Sequence, residues 1–392
     1  LILCAFIQYL KVSFKFRVRK FMKLFKSLLV APATLGLLAP MSATANEVTI
    51  SDFAPAEQLA VTNSRVDGLE ARLNNIEAGS FSETTTASFS ADMAIGATDG
   101  LASKEAVGAQ YGFQIDLNTS FTGEDSLDIS IDAGSASSSV ENGLTELDLN
   151  ATADKLEVDG VSYTFPLGDK TTVFVGDNMD GSTLYSTACV YGGPTNTLDD
   201  CGNAFSALAA GKGTTAGASF ELGNGFTAAV GYEGQGSGTD GLLTKQGADA
   251  YGGQLTYTAD SYGASVTYAN IEVPSAGASD AVYWGLNGYY APAETGSMPS
   301  ISVGYEMGNP DTGADTTHYF VGLQWDEVGP GTFGAALGTT EHTTDAATEY
   351  LMYEAFYSYP VNDGMTVTPV VFIKETSSDD QTGVMVKTSF SF

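Results

Sequence analysis

Basic side chains are scarce: the chain of 392 residues carries 16 Lys and Arg against 47 Asp and Glu, a formal net charge of −31. A nucleic-acid binder needs a cationic face, and this composition does not supply one. Histidine occurs only as His318 and His342, and cysteine three times. That leaves little for a zinc or haem centre, and no cofactor or metal is expected. Charged residues make up 16% of the chain, below the roughly 25% of soluble domains. After residue 45 there is no apolar run of about 18 residues, so helical membrane spans are excluded there. What is abundant excludes disorder: 21 Phe, 19 Tyr and 43% hydrophobic residues are too much apolar material for an unfolded chain.

The charge is unevenly placed. Seven of the basic residues (Lys11, Lys15, Arg17, Arg19, Lys20, Lys23 and Lys26) precede residue 27, and no acidic residue occurs before Glu47. Met22-Lys23-Leu24-Phe25-Lys26 opens a basic stretch. An apolar run over 28–40 and then Ala43-Thr44-Ala45 follow. This is the pattern of a secretory signal peptide over 22–45, cleaved after Ala45, with residues 1–21 as sequence upstream of the true start. The alternative is a membrane anchor; either way the remainder is exported.

A linker over 46–58 leads into a helical pattern over 59–78. Leu59, Thr62, Val66, Leu69, Leu73 and Ile76 recur at steps of three and four, a heptad seam. So short a seam is marginal alone. It serves as a trimeric plug or stalk if something else holds the copies together, or it packs as one amphipathic helix on its own domain.

After Phe81 the period changes to two. Over 381–392, Val384, Val386, Thr388, Phe390 and Phe392 share a face, opposite Gly383, Met385, Lys387, Ser389 and Ser391. Over 316–326, Tyr319, Val321, Leu323 and Trp325 oppose His318, Gly322, Gln324 and Asp326, and 281–290 behaves likewise. Runs of this length fit the roughly 9–11 residues of a membrane-crossing strand better than the 5–6 of a globular sheet. Tight connections (Gly223-Asn224-Gly225, Asp260-Ser261, Asn362-Asp363-Gly364) alternate with long ones near 178–211, 233–247 and 308–315, the asymmetry of an outer-membrane barrel. The expected fold is all-β: a transmembrane antiparallel β-barrel of about 16 strands over 81–392, with a short N-terminal coiled-coil helix. A barrel of that size is wide enough for an aqueous channel. The stretch 122–160 is ambiguous by pattern. The chain ends on Phe390 and Phe392, like the terminal strand that outer-membrane assembly machinery recognises.

Three stretches carry a family resemblance: Met22–Ala33, Arg72–Thr86 and Ala188–Asn203. In these the chain resembles cyanobacterial porins related to the carbohydrate-selective porin family. The resemblance implies a trimeric outer-membrane channel for passive uptake of small solutes and inorganic ions. It departs from that family in one respect. Only 46–58 lies where such porins usually carry an S-layer-homology domain, so binding to the cell wall is not expected.

Within 81–392 seven lysines face 41 acidic residues. Charges are costly against lipid, so they belong in the lumen or the loops. By alternation Asp116, His318, Gln324, Asp326, Glu354 and Lys374 are pore-lining candidates. A negative lumen concentrates cations, and a weakly cation-preferring pore is expected, with ions, iron and carbohydrate all compatible as solutes. Acids that merely solubilise external loops are the competing explanation. Cys189 and Cys201, in a Gly/Pro/Asn-rich loop of an exported chain, are expected to form a disulfide. Such a staple is worth about 3 kcal/mol through the unfolded state, and a stapled loop can fold inward to narrow the pore. Neither His is accompanied by a nucleophile motif, so an enzyme is not expected. The alternative function is a structural outer-membrane tether or adhesin barrel.

Overall fold

The structure, a computed structural model, describes residues 85–392 apart from 101–105, 137–143, 148, 209–211, 237–239, 245, 273–278, 294–297 and 345–346. The expected leader, linker and heptad seam (Leu59, Val66, Leu69, Leu73, Ile76) lie outside the described residues.

Period-two patterning produces an almost unbroken series of strands: β1 (Thr85–Asp99), β2 (Gly108–Thr119), β3 (Ser126–Gly134), β4 (Glu157–Pro166), β5 (Thr171–Met179) and β6 (Gly213–Gly223). These continue as β7 (Phe226–Gly234), β8 (Asp249–Thr258), β9 (Tyr262–Ile271), β10 (Ala281–Tyr290), β11 (Ser300–Pro310) and β12 (Thr316–Val328). The last are β13 (Gly331–Thr339), the two-residue β14 (Thr343–Thr344), β15 (Leu351–Asn362), β16 (Met365–Lys374) and β17 (Gln381–Ser391). Apart from β14, which pairs with β12 from within a loop, these are sixteen staves of one antiparallel sheet. The ambiguous stretch divides into β3, a long loop holding a 3-10 turn (Leu144–Leu147), and β4.

The sheet closes because β17 pairs with β1, from Ser90 opposite Ser391 to Asp99 opposite Thr382. Phe392 adds a reciprocal pair of backbone hydrogen bonds with Phe89, 2.9 and 3.0 Å, and their rings stack at 5.9 Å. An open edge in hydrocarbon would leave a row of unpaired N–H and C=O groups, each costing several kcal/mol; the C-terminal strand removes it.

The two ends of the cylinder differ. Where β1 begins and β17 ends, the staves are joined mostly by short turns, including the three tight connections read from the sequence. At Gly223-Asn224-Gly225 all three residues have positive φ, which explains the residue types. At the other end lie the long connections 135–156, 180–212 and 235–248. Aromatic pairs mark both rims of the outer face: Phe226–Tyr257 and Trp325–Phe333 toward the turn end, Tyr268–Trp284 toward the loop end.

The faces are reversed relative to a water-soluble sheet. On β11, Val303 and Tyr305 are 45% and 40% exposed while Ser302 and Glu306 are 1% and 0% exposed. Apolar side chains point outward and small or polar ones inward, the arrangement of a barrel whose outer face meets lipid. One sector breaks this rule. The inner faces of β12 and β15–β17 carry Phe320, Met352, Phe356, Val370, Phe372 and Met385, all buried, in one cluster with Leu144, Leu147, Leu149, Tyr191 and Leu198 from two inward-folded loops.

Replacing outward Leu286 with Arg is expected to cost about 2–4 kcal/mol, the range for a cation on the lipid face. Equilibrium refolding into bilayers, read by gel mobility of the folded form, checks this.

Candidate functional site

Loop 180–212 lies across the lumen rather than outside it. Its backbone from Ser186 to Gly192 runs along the inner wall as an extended segment. Every second N–H donates to a wall side chain: Ser186 to Gln254 Oε1 at 2.6 Å, Ala188 to Ser265 Oγ at 3.0 Å, Val190 to Ser302 Oγ at 3.0 Å and Gly192 to Gln324 Oε1 at 3.1 Å. These acceptors stand on β8, β9, β11 and β12. Four strand spacings make about 19 Å and six extended residues about 20 Å, so the segment crosses the staves at right angles in matched register. In extended backbone alternate N–H groups point the same way, which is why alternate residues make the contacts. Gln254 also donates to Thr187 Oγ1 at 3.0 Å, and Thr256 donates to the Ser186 carbonyl at 2.9 Å.

The rest of the loop is tied down by buried carboxylates. Glu233 accepts from the Gly181 N–H at 3.1 Å, Glu354 accepts from the Tyr191 hydroxyl at 2.5 Å, and Glu306 accepts from the Phe205 and Ser206 N–H groups at 3.0 and 2.7 Å. Burial, aided by the Glu354 charge, pushes the Tyr191 hydroxyl far up, so it stays a donor. Asn287 donates to the Cys201 carbonyl at 2.8 Å. That carbonyl lies where a Cβ on Gly304 would stand, so only glycine allows the approach. Cys189 and Cys201 are joined as a disulfide across the loop.

A second plug element meets it. The 3-10 turn from loop 135–156 offers Glu146, which pairs with Lys374 Nζ at 2.6 Å and accepts from Thr197 Oγ1 at 2.7 Å, while its carbonyl accepts from the Asn196 N–H at 2.8 Å.

The six pore-lining candidates all face inward, but they have different surroundings. Asp116 is half-buried on the wall of β1–β3, accepting from Gln114 and Ser130 at 2.8 and 2.6 Å. Gln324 holds the loop through Gly192 and donates to Asp326 at 3.1 Å, and Asp326 is exposed toward the turn end. His318 and Glu354 are buried beneath the plug, each 4% exposed. Lys374 is paired with Glu146. Phe390 and Phe392 lie on the closing strand and its end. Residues not singled out from sequence include Glu306, Glu233, Glu146 and Tyr191. Alternation against Val303 and Tyr305 places Glu306 inward, whereas nothing local marks Glu146 or Tyr191.

Beside the plug, the wall of β1–β3 stays partly exposed toward the turn end, while its loop-end half is buried. It carries Asp92, Asp116 and Asp128, with Asp128 accepting from Asn118 and Ser126 at 2.6 Å each. The inward lysines Lys374 and Lys387 are each in an ion pair, the latter with Asp92 at 3.0 Å.

No family model matches the chain, and no curated protein matches it by sequence. Solved structures do match in fold. OprB of Pseudomonas putida superposes with a TM-score of 0.60 at 10% identity, over 79% of this chain and 94% of that one. An anion-selective porin from Comamonas acidovorans gives 0.54 at 15% identity, over 79% and 99%. OmpF of Salmonella typhi gives 0.53 at 12%, over 79% and 97%. The closed sixteen-strand barrel is therefore shared with porins, and at these identities the likeness is one of fold.

Two substitutions probe the plug. Replacing both Cys189 and Cys201 by Ser frees the staple, and single-channel conductance is expected to change. Gly304→Val drives the Cys201 carbonyl off the wall and is expected to alter conductance in the same direction, with loss of folded stability of about 1–3 kcal/mol.

Proposed function

We propose that this chain is an outer-membrane porin, a water-filled passage through which small hydrophilic solutes diffuse passively, with a weak preference for cations. The observation that carries it is the inside-out closed barrel, in which part of the inner wall of β1–β3 keeps polar side chains partly exposed beside an inward-folded, hydrogen-bonded plug. The likeness of fold to porins supports the reading. So does the pattern of a signal peptide over 22–45, which would deliver the chain to the outer membrane. The working unit is a homotrimer, as the family resemblance implies, with bilayer lipid, barrel assembly machinery and the passing solutes as its partners.

The sign of the preference comes from side chains, since one barrel of the same fold is anion-selective. Here the accessible wall presents Asp116 and Asp128, while the inward Lys374 and Lys387 are paired with Glu146 and Asp92. A low-dielectric cylinder focuses such a field, raising the local concentration of cations.

Among solutes, inorganic ions fit better than sugars. A sugar path presents aromatic faces to the lumen, on which the apolar face of the ring can slide. The inward Phe174, Tyr191, Phe320, Phe356 and Phe372 are buried, and Tyr283 is stacked on Phe205 at 4.9 Å. Tyr289, half-buried near the turn end, does not extend into a row with them.

Planar-bilayer recording in a salt gradient tests the reading. The expected result is step conductances with a reversal potential of cation-selective sign. Anion selectivity would overturn the charge assignment, and absence of steps would overturn the channel. Replacing Asp116 and Asp128 together by Asn is expected to lower the cation-to-anion permeability ratio about twofold.

A further inference from the structure

Glu306 is the most constrained charge in the lumen. Its side chain is fully buried on β11. It accepts from two successive backbone N–H groups of the plug, Phe205 and Ser206, and it also meets His342 Nε2 at 2.5 Å. His342 belongs to a different segment, the loop 340–350 that leads into β15. Its ring packs on Phe205 at 5.0 Å, meets Tyr283 edge-on at 5.4 Å, and its Nδ1 lies 3.0 Å from Thr316 Oγ1. One carboxylate thus joins the distal limb of the plug, the wall and an end loop.

The second histidine limits the charge this junction can hold. His318 on β12 is stacked on His342, centroids 5.3 Å apart and planes 12° from parallel. Its Nδ1 lies 2.7 Å from Thr339 Oγ1, an oxygen that already accepts from the Tyr319 N–H at 3.1 Å. The hydroxyl hydrogen is therefore free to point at His318 Nδ1, which suits a neutral ring. The other ionisable neighbours are Asp200 on the plug, pushed up to about 7 by burial, and the Tyr283 hydroxyl on β10. Glu341, next to His342, reaches His318 through its backbone. Among the described residues named here there is no lysine or arginine.

We infer that Glu306, His342 and His318 form a proton-operated latch that holds the distal limb of the plug against the wall at neutral pH and releases it on acidification. As a carboxylate, Glu306 keeps its charge-assisted bonds to Phe205 and Ser206 and accepts from His342 Nε2–H. Acidification acts at two places. Protons on both rings place two cations 5.3 Å apart in a buried site. A proton on Glu306 removes the negative charge that the two N–H groups bind. Either route loosens the limb, which then protrudes into the passage and shortens its open time. This regulation rests on the channel reading for its consequence, but the latch itself is a property of the fold.

Hydrogen exchange on the full-length protein in detergent tests it directly. Corrected for intrinsic rates, protection of the Phe205 and Ser206 amides is expected to fall about tenfold between about pH 7.5 and about pH 5. His342→Gln keeps a donor for Glu306 but removes one of the two stacked rings, so only protonation of Glu306 remains and the fall in protection is expected to be smaller than in the wild type. Equal protection of the wild type at both values overturns the latch, as does an undiminished pH response in His342→Gln. Bilayer recordings run in parallel are expected to show more closures at the lower pH, to a greater degree in the wild type than in His342→Gln. If the protein conducts at neither pH, the channel reading fails while amide exchange still decides the latch.

Discussion

Closure of the sheet on itself, which leaves no backbone edge without a hydrogen-bond partner, is the constraint on which the rest of this structure depends, and it is what hydrocarbon around a barrel would require. Sixteen staves close through the β1–β17 pair, and Phe392 is part of that seam. Closure in turn defines an inside. Once the cylinder exists, side chains of alternate parity are enclosed, whatever their polarity.

The same need for partners organises the plug. A loop folded into the lumen would leave its own N–H groups without water wherever it touches the wall. The wall answers with Gln254, Ser265, Ser302 and Gln324 along one extended segment, and with Glu233 and Glu306 at the more compact ends. The buried acids are thus receptors for backbone donors. They differ physically from Asp116 and Asp128, whose partners are flexible polar side chains and which remain within reach of water. Part of the large acidic excess therefore holds the plug, and another part lines the partly exposed inner wall of β1–β3.

The apolar sector of the inner wall belongs to the same construction. Phe356, Phe372 and Met385 would be misplaced facing water, but they cover Leu144, Leu147 and Leu198. Two loops from the same end thereby share a small hydrophobic core inside the barrel. Burial supplies adhesion without direction, and the hydrogen bonds and the Cys189–Cys201 bridge supply the register. Lys374 shows how local the outcome is: a lysine on the inner face has its charge taken up by Glu146, 228 positions away in sequence.

Period-two alternation and the tight turns were legible in the sequence because each depends on residues close together along the chain. They determined that this chain makes long strands with one lipid-compatible face, and that inward positions include Asp116, His318, Gln324, Asp326, Glu354 and Lys374. Parity tells only which side of the sheet a residue takes. Whether an inward residue meets water, a lysine or the backbone of a folded-in loop was decided by tertiary structure. Those partners come from segments remote in sequence, and their positions exist only after the cylinder has closed and loop 180–212 has been laid across it.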